Sequence, residues 1–212
     1  CTLLKSADIS GVDEIAAYLF EGCSVLNDIK LYTVSQRENF SPNGNTVTTF
    51  KIPTNYKKIG NFAFFGCEMI ESFEISDFCT SIGDFAFGKC KSLEAITVPA
   101  SVEKIGTGAF SESGIKSAEI LTSIKAIPAS LFSECTHLSD VKIPESVKEI
   151  CASAFAGCVN LVSLPRDSFE KIGACAFYGC RSLEKIYIGT LDSAVQYGTY
   201  YRRNELEQVT LP

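Results

Sequence analysis

The fold is decided by a stretch that reads Leu93-Glu-Ala-Ile-Thr-Val-Pro-Ala-Ser-Val-Glu-Lys-Ile-Gly-Thr-Gly-Ala-Phe110. Its closing pair, Ala109-Phe110, recurs along the chain and so measures a repeat. The phenylalanines of this slot are Phe20, Phe64, Phe87, Phe110, Phe132, Phe155 and Phe177, at intervals of 44, 23, 23, 22, 23 and 22 residues. A period of about 20 to 30 residues is typical of a solenoid, in which each repeat buries its apolar face against its neighbours. We interpret the first interval as two periods, so we expect one further rung between Phe20 and Phe64.

Each repeat also carries a segment of the form apolar-x-x-apolar-x-apolar, whose last three positions alternate with the period of a β-strand. Ten such segments end at Ile9, Leu31, Ile52, Ile75, Val98, Ile120, Ile143, Leu164, Ile188 and Leu211. Successive copies come from successive turns of one coil, so we expect parallel strands about 4.8 Å apart. Beyond the strand, a glycine such as Gly106 suits a tight corner, and the slot phenylalanine then fills the interior.

The repeat predicts one continuous domain, residues 1–212, because each rung needs its neighbours to bury its apolar face. Two stretches depart from the phrase, residues 33–46 and 189–205, and we interpret them as degenerate rungs or loops. Both chain ends fall within a repeat, so we expect the chain to be a fragment of a longer protein.

Seven of the ten cysteines share one position of the repeat, three residues after the slot phenylalanine. They are Cys1, Cys23, Cys67, Cys90, Cys135, Cys158 and Cys180, and Ser113 takes the place once. We expect a buried ladder of free thiols, since a free cysteine acts as a small apolar side chain with a weak S–H donor. Disulfides between adjacent rungs are an alternative by distance, although equivalent side chains point the same way. Cys79, Cys151 and Cys175 lie off the ladder. The sequence contains no Cys-x-x-Cys pair, the spacing that is typical of zinc sites, so we expect no metal site.

The phrase Ile-Pro-x-Ser-Val-x-x-Ile-Gly-x-x-Ala-Phe-x-x-Cys-x-x-Leu resembles the leucine-rich repeat of the BspA-like, or Treponema pallidum, type. The resemblance covers nearly the whole chain, as about nine repeats of 22–23 residues. It implies an α/β-type repeat solenoid, a β-rich leucine-rich repeat arc with its parallel sheet on the concave face. It also implies bacterial or protozoan proteins that are secreted or at the cell surface, some of them adhesins for host matrix proteins or other microbes.

The composition argues against several classes of function. A net charge of −6 without clustered basic residues disfavours a nucleic-acid groove, and no apolar run approaches the roughly 18 residues that span a bilayer. The single histidine, His137, lies at a variable turn position beside predicted core residues, where we expect an ordinary surface side chain. The carboxylates are spread at repeat spacing and no Gly-rich phosphate loop occurs. We therefore predict no catalytic residues, no metal, no cofactor and no enzymatic activity.

We then expect binding at strand positions that point outward and in the stretches that depart from the repeat, residues 33–46 and 189–205. One outward row consists of Lys30, Lys51, Glu74, Thr97, Glu119, Lys142, Tyr187 and Thr210. A cluster near the C-terminus, Tyr197, Tyr201, Arg202 and Arg203, has the Tyr and Arg side chains that interface hot spots favour. For both sets the alternative is a solvated or packing surface without a ligand.

These observations predict a non-enzymatic, adhesion-type module of a cell-surface or secreted protein that binds a protein or a glycan. We expect it to be a monomer. The alternative is a structural spacer that presents another domain of a longer surface protein.

Overall fold

The computed structural model describes residues 2–8, 15–26, 28–30, 49–51, 56–164, 169–187 and 208–210. Its fifteen strands are β1 (Ser6–Asp8), β2 (Asp28–Lys30), β3 (Thr49–Lys51), β4 (Lys58–Ile59), β5 (Ser72–Glu74), β6 (Ser81–Ile82), β7 (Ala95–Val98), β8 (Lys104–Ile105), β9 (Ser117–Ile120), β10 (Ala126–Ile127), β11 (Asp140–Lys142), β12 (Glu149–Ile150), β13 (Lys171–Ile172), β14 (Lys185–Tyr187) and β15 (Gln208–Thr210). Every strand pairing among the described residues is parallel, as a coil requires.

The strands form two walls of one solenoid. In the first wall, the five-stranded long sheet has the order β11-β9-β7-β5-β3, and β1-β2 and β14-β15 are separate pairs. In the second wall, the two-residue strands form two short sheets, β4-β6-β8 and β10-β12-β13. Partners lie 22 or 23 residues apart, as in Ile96↔Ala118 and Ile82↔Ile105, so one turn of the coil is one sequence repeat.

The positions of the predicted strands are largely confirmed. Nine of the ten apolar segments contain or adjoin a strand, and at the tenth Ser163 forms only an isolated bridge. No helix lies among the described residues, so the α part of the α/β-type prediction is not confirmed, and neither is the count of nine repeats. The stretches 33–46 and 189–205 lie outside the described residues.

The slot phenylalanines form a continuous stack through the interior. All seven are buried, and neighbouring ring centroids lie 5.2–5.7 Å apart. Each buried Phe removes apolar surface from water, which is worth about 1.5–3 kcal/mol by transfer alone. The stack is therefore the axis of the core.

The rung expected between Phe20 and Phe64 is not present in this stack, so that prediction was wrong. The two rings are direct neighbours at 5.6 Å, and the Phe20 amide donates to the Ala63 carbonyl at 2.8 Å. The intervening sequence has no Ala-Phe pair to place in the slot. The turn that contains Phe20 therefore packs directly against the turn that contains Phe64.

A third wall, the turn wall, joins the rungs through backbone hydrogen bonds. It comprises residues 61–66 and their equivalents, and alternate amides donate to the next rung, as in Phe64 to the Ala86 carbonyl and Phe87 to the Ala109 carbonyl (2.8 and 2.7 Å). Two positions in each turn are left-handed, two residues before and two after the slot phenylalanine, as in Phe85 (φ 51°) and Lys89 (φ 59°). Turns of this wall thus take the place that a helix would otherwise fill.

The glycine before the turn wall is required for close approach rather than for a corner. Gly106 has no positive φ, but an added Cβ would lie 2.3 Å from the backbone nitrogen of Asp84 in the preceding rung. Contacts this short force the chain to shift. The expectation of a conformational role for this glycine was therefore wrong, although the position was identified correctly.

The ladder thiols are hydrogen-bond donors, and those from Cys67 to Cys158 are buried while Cys180 is half-buried. The Sγ atoms of Cys67, Cys90, Cys135, Cys158 and Cys180 lie 3.0–3.2 Å from the carbonyl oxygen of the slot phenylalanine in the preceding rung. Ser113 instead donates to the Phe110 carbonyl of its own rung at 2.6 Å. Most of the same carbonyls also accept the backbone amide of the cysteine in their own rung, as in Cys67 to Phe64 at 3.1 Å. The Cys or Ser side chain therefore supplies a second donor, which an apolar side chain could not.

All nine described cysteines are free thiols. Burial raises the pKa of Cys67 and Cys180 to about 12 and that of Cys135 to about 11. A raised thiol pKa lowers the thiolate fraction at neutral pH, and the thiolate is the reactive form. The described ladder thiols are therefore poorly accessible to reagents in solution and form little of the reactive thiolate at neutral pH.

Thiol titration should separate the ladder from the partly exposed Cys151 and Cys175. At pH 8 we expect these two to react much faster than the ladder thiols, and ten thiols to react after denaturation without a reductant. The variant Cys151→Ser/Cys175→Ser should lose two fast thiols and leave the slow phase unchanged. Fewer than ten thiols in the denatured, unreduced chain would show disulfides and contradict the ladder.

Candidate functional site

The candidate site is the outward surface of the long sheet. Strand alternation places Ile96, Ala118 and Val141 inward, and all three are buried. The residues between them form two rows in register, Ser72↔Ala95↔Ser117↔Asp140 and Thr97↔Glu119↔Lys142. The predicted residues Glu74, Thr97, Glu119 and Lys142 therefore lie on one surface, the long-sheet face.

The other predicted residues are placed less completely. By backbone register, Lys51 lies opposite Glu74, Lys30 opposite Asp8, and Tyr187 opposite Thr210. Lys30 and Tyr187 belong to strand pairs separate from the five-stranded sheet. The C-terminal cluster, Tyr197, Tyr201, Arg202 and Arg203, lies outside the described residues. The assignment of these residues to binding stays a prediction.

Two ion pairs bridge adjacent rungs on and beside this face. Lys142 Nζ lies 3.1 Å from Glu119 Oε1, and Lys116 Nζ lies 2.5 Å from Glu94 Oε1. All four side chains are more than one third exposed, so solvent screens each pair and its contribution to stability is small. Such pairs hold long side chains in place and can exchange their partner for a polar ligand.

A notch lies at the start of the strands, where one rung is a residue shorter than its neighbour. Cys90-Lys91-Ser92-Leu93 is replaced in the next rung by Ser113-Gly114-Ile115. The shortened turn is pulled so close that a Cβ on Gly114 would lie 1.9 Å from the Lys91 carbonyl oxygen. The cavity here measures about 840 Å³, and polar side chains provide much of its lining: Glu71, Ser72, Lys91, Ser92, Glu94, Lys116 and His137.

His137 is exposed at the edge of this notch, with Nδ1 3.4 Å from Thr136 Oγ1. The ladder thiol nearest to it in sequence, Cys135, is buried and hydrogen bonded to Phe110 and Ser113. Its raised pKa makes Cys135 a hydrogen-bond donor rather than a nucleophile. The notch can therefore offer hydrogen bonds and charge to a ligand.

A half-buried aromatic cluster lies on the turn wall, and Tyr18 is its exposed member. Tyr18, Phe62 and Phe85 stack with centroids 5.1 Å apart, and Phe65 packs edge-on against Phe62. Lys89 Nζ lies over the Phe65 ring at 5.3 Å. Sequence reasoning missed both this cluster and the notch. The available signals were aromatic residues two positions before the slot phenylalanine and a 22-residue interval that contains Gly114.

The family model for the BspA-type leucine-rich repeat region matches residues 1–113, 57–184 and 126–212, with six copies. These matches extend over the whole chain. The chain belongs to the BspA-type leucine-rich repeat family. The resemblance carried by the repeated phrase is thereby confirmed.

Solved structures of leucine-rich repeat proteins agree with this assignment. The BspA-type chain is 29% identical to a leucine-rich repeat protein of T. pallidum, with a TM-score of 0.67, over 84% of this chain and 78% of that one. It is 27% identical to a protein of Bacteroides ovatus, with a TM-score of 0.57, over 88% of this chain and 57% of that one. A protein of Eubacterium ventriosum shares the fold at 20% identity and a TM-score of 0.64, over 97% and 56% of the two chains.

No curated protein matches the BspA-type chain. Among its described residues, no helix has the length and apolar character needed to cross a membrane. The same part of the chain contains no group of three or more His, Cys, Asp or Glu side chains arranged to hold a metal ion.

Proposed function

We propose that the chain is a non-enzymatic binding module of a cell-surface or secreted protein, and that its long-sheet face contacts a protein or a glycan. The observation that carries this proposal is the pair of outward rows, which place mostly polar side chains, exposed or half-buried, in register across successive rungs. Folding uses the inward positions, so the outward ones are free to vary with a ligand. The family membership and the polar notch beside the rows support the same face.

We further propose that the rungs belong to one array through residues 1–212, with the long sheet on the concave side of an arc. A concave sheet would bring the outward rows and the notch toward the same ligand. A monomer is sufficient for this arrangement, because the described rows come from a single chain.

The second candidate is a structural spacer, and one observation favours it. The long-sheet face pairs charges internally, as in Lys142–Glu119, and its rows consist mostly of small side chains rather than hot-spot aromatics. A spacer would bind no ligand through either row.

Binding to arrays of glycans and of extracellular-matrix proteins tests the two candidates. For any array member bound by the chain, Glu119→Ala/Lys142→Ala should weaken affinity at least about tenfold, equivalent to about 1.4 kcal/mol. The matched control is Lys89→Ala/Glu112→Ala, which removes an ion pair of the same type (3.8 Å) from the turn wall and should leave affinity unchanged. No binding to either array, or equal loss in both variants, would favour the spacer.

A further inference from the structure

The outer surface of the two short sheets, the short-sheet face, carries a concentration of lysines. It consists of the first residue of each two-residue strand and the residue before it, and each strand buries only its second residue. These twelve positions contain six lysines and three glutamates, a net charge of +3. The lysines are Lys57, Lys58, Lys104, Lys125, Lys148 and Lys171, and all six are exposed.

This positive face contrasts with the rest of the chain. The protein as a whole carries a net charge of −6. The described outward rows of the long sheet contain Glu74, Glu119 and Asp140 against Lys51 and Lys142, a net charge of −1. The two walls of the solenoid therefore differ in the sign of their charge, although the linear sequence mixes both signs throughout.

Most of these lysines have no acidic partner within the described part of the chain. Of the six, only Lys148 makes an ion pair there, with Glu170 at 3.8 Å. Neighbouring ammonium groups that are not neutralised repel one another, and an anion placed between them relieves that repulsion. Binding of an anionic ligand to this face would therefore be electrostatically favourable.

The spacing suits a linear ligand. Lys58 and Lys104 lie in register on either side of Ser81, so their rungs are about 10 Å apart at about 4.8 Å per rung. Six rungs carry the face, which gives a strip about 24 Å long. The two short sheets are not paired with each other between β8 and β10. Their rungs are nevertheless adjacent, because the Gly108 amide in the turn wall donates to the Ala129 carbonyl of the next rung at 2.9 Å.

The side-chain chemistry distinguishes between kinds of polyanion. The twelve positions contain no arginine for bidentate phosphate contacts and no aromatic ring for stacking on bases. Lysines alone provide point charges that meet sulfate or carboxylate groups spaced along a chain. We propose that the short-sheet face binds an anionic polysaccharide that lies along the axis of the solenoid.

Heparin is a suitable probe, because it is a sulfated polysaccharide of regular charge spacing. We expect the chain to bind heparin in low salt, with an affinity that falls as salt rises because bound counterions are released. The variant Lys58→Gln/Lys104→Gln/Lys171→Gln should bind on the order of 100-fold more weakly, at roughly fivefold per lysine. The matched control Lys5→Gln/Lys89→Gln/Arg181→Gln changes the net charge equally outside this face and outside the notch, and it should bind within about threefold of the parent.

Four outcomes would overturn the proposal. They are the absence of heparin binding in low salt, equal loss in the two triple variants, equally tight binding of single-stranded DNA, and self-association in low salt that the Lys58/Lys104/Lys171 variant abolishes. The last outcome would show that the face pairs with the acidic surface of a second copy. Circular dichroism melts of both variants check that any loss of binding does not come from unfolding.

Discussion

Replacing Phe110 with alanine should lower the free energy of unfolding by about 3–5 kcal/mol. The ring is fully buried and lies 5.6 Å from the ring of Phe87 and 5.7 Å from that of Phe132. Its removal leaves a cavity in the middle of the stack, where the rungs on both sides are fixed by their own backbone ladders. The core therefore cannot collapse easily to fill the space.

The effect should also be cooperative, because a solenoid is stabilised by contacts between nearest neighbours. Weakening the central interface should separate unfolding into two transitions, one for the rungs before Phe110 and one for those after it. Urea unfolding followed by circular dichroism measures both the loss of stability and the number of transitions. A cost below about 1 kcal/mol would mean that the slot phenylalanines do not form the core.

Phe78→Ala provides the matched control. Phe78 is 59% exposed, so the same chemical change there should alter stability by no more than about 0.5 kcal/mol. Similar losses of stability in Phe78→Ala and Phe110→Ala would contradict the assignment of Phe110 to the core and of Phe78 to the surface.

The repeat made much of the fold predictable from sequence. The same physical requirement recurs in each rung, so a single weak signal, such as a thiol three residues after a phenylalanine, became reliable by repetition. The ladder from Cys67 to Cys180 and the strand positions follow from this redundancy. Contacts between rungs were harder to predict, because Gly106 looks like a corner residue until the backbone of Asp84 is placed beside it.

Departures from the repeat were the parts that sequence reasoning missed. An interval of 44 residues between Phe20 and Phe64 equals two periods, yet the two rings are in contact. The notch depends on the loss of one residue at Gly114, and the positive face depends on which positions the short strands turn outward. Both are properties of neighbouring rungs together, and no single repeat reveals them.

The central claim is that successive rungs stack in register, and hydrogen exchange of individual amides tests it most directly. The amides of six slot phenylalanines donate to the next rung at 2.7–3.1 Å: Phe20, Phe64, Phe87, Phe110, Phe132 and Phe155. We predict that they exchange at least on the order of 1,000-fold more slowly than in an unstructured peptide, since exchange requires the rungs to separate. Protection should recur with the spacing of the slots. Rapid exchange at these amides, or protection that does not follow the repeat, would contradict the stacked solenoid.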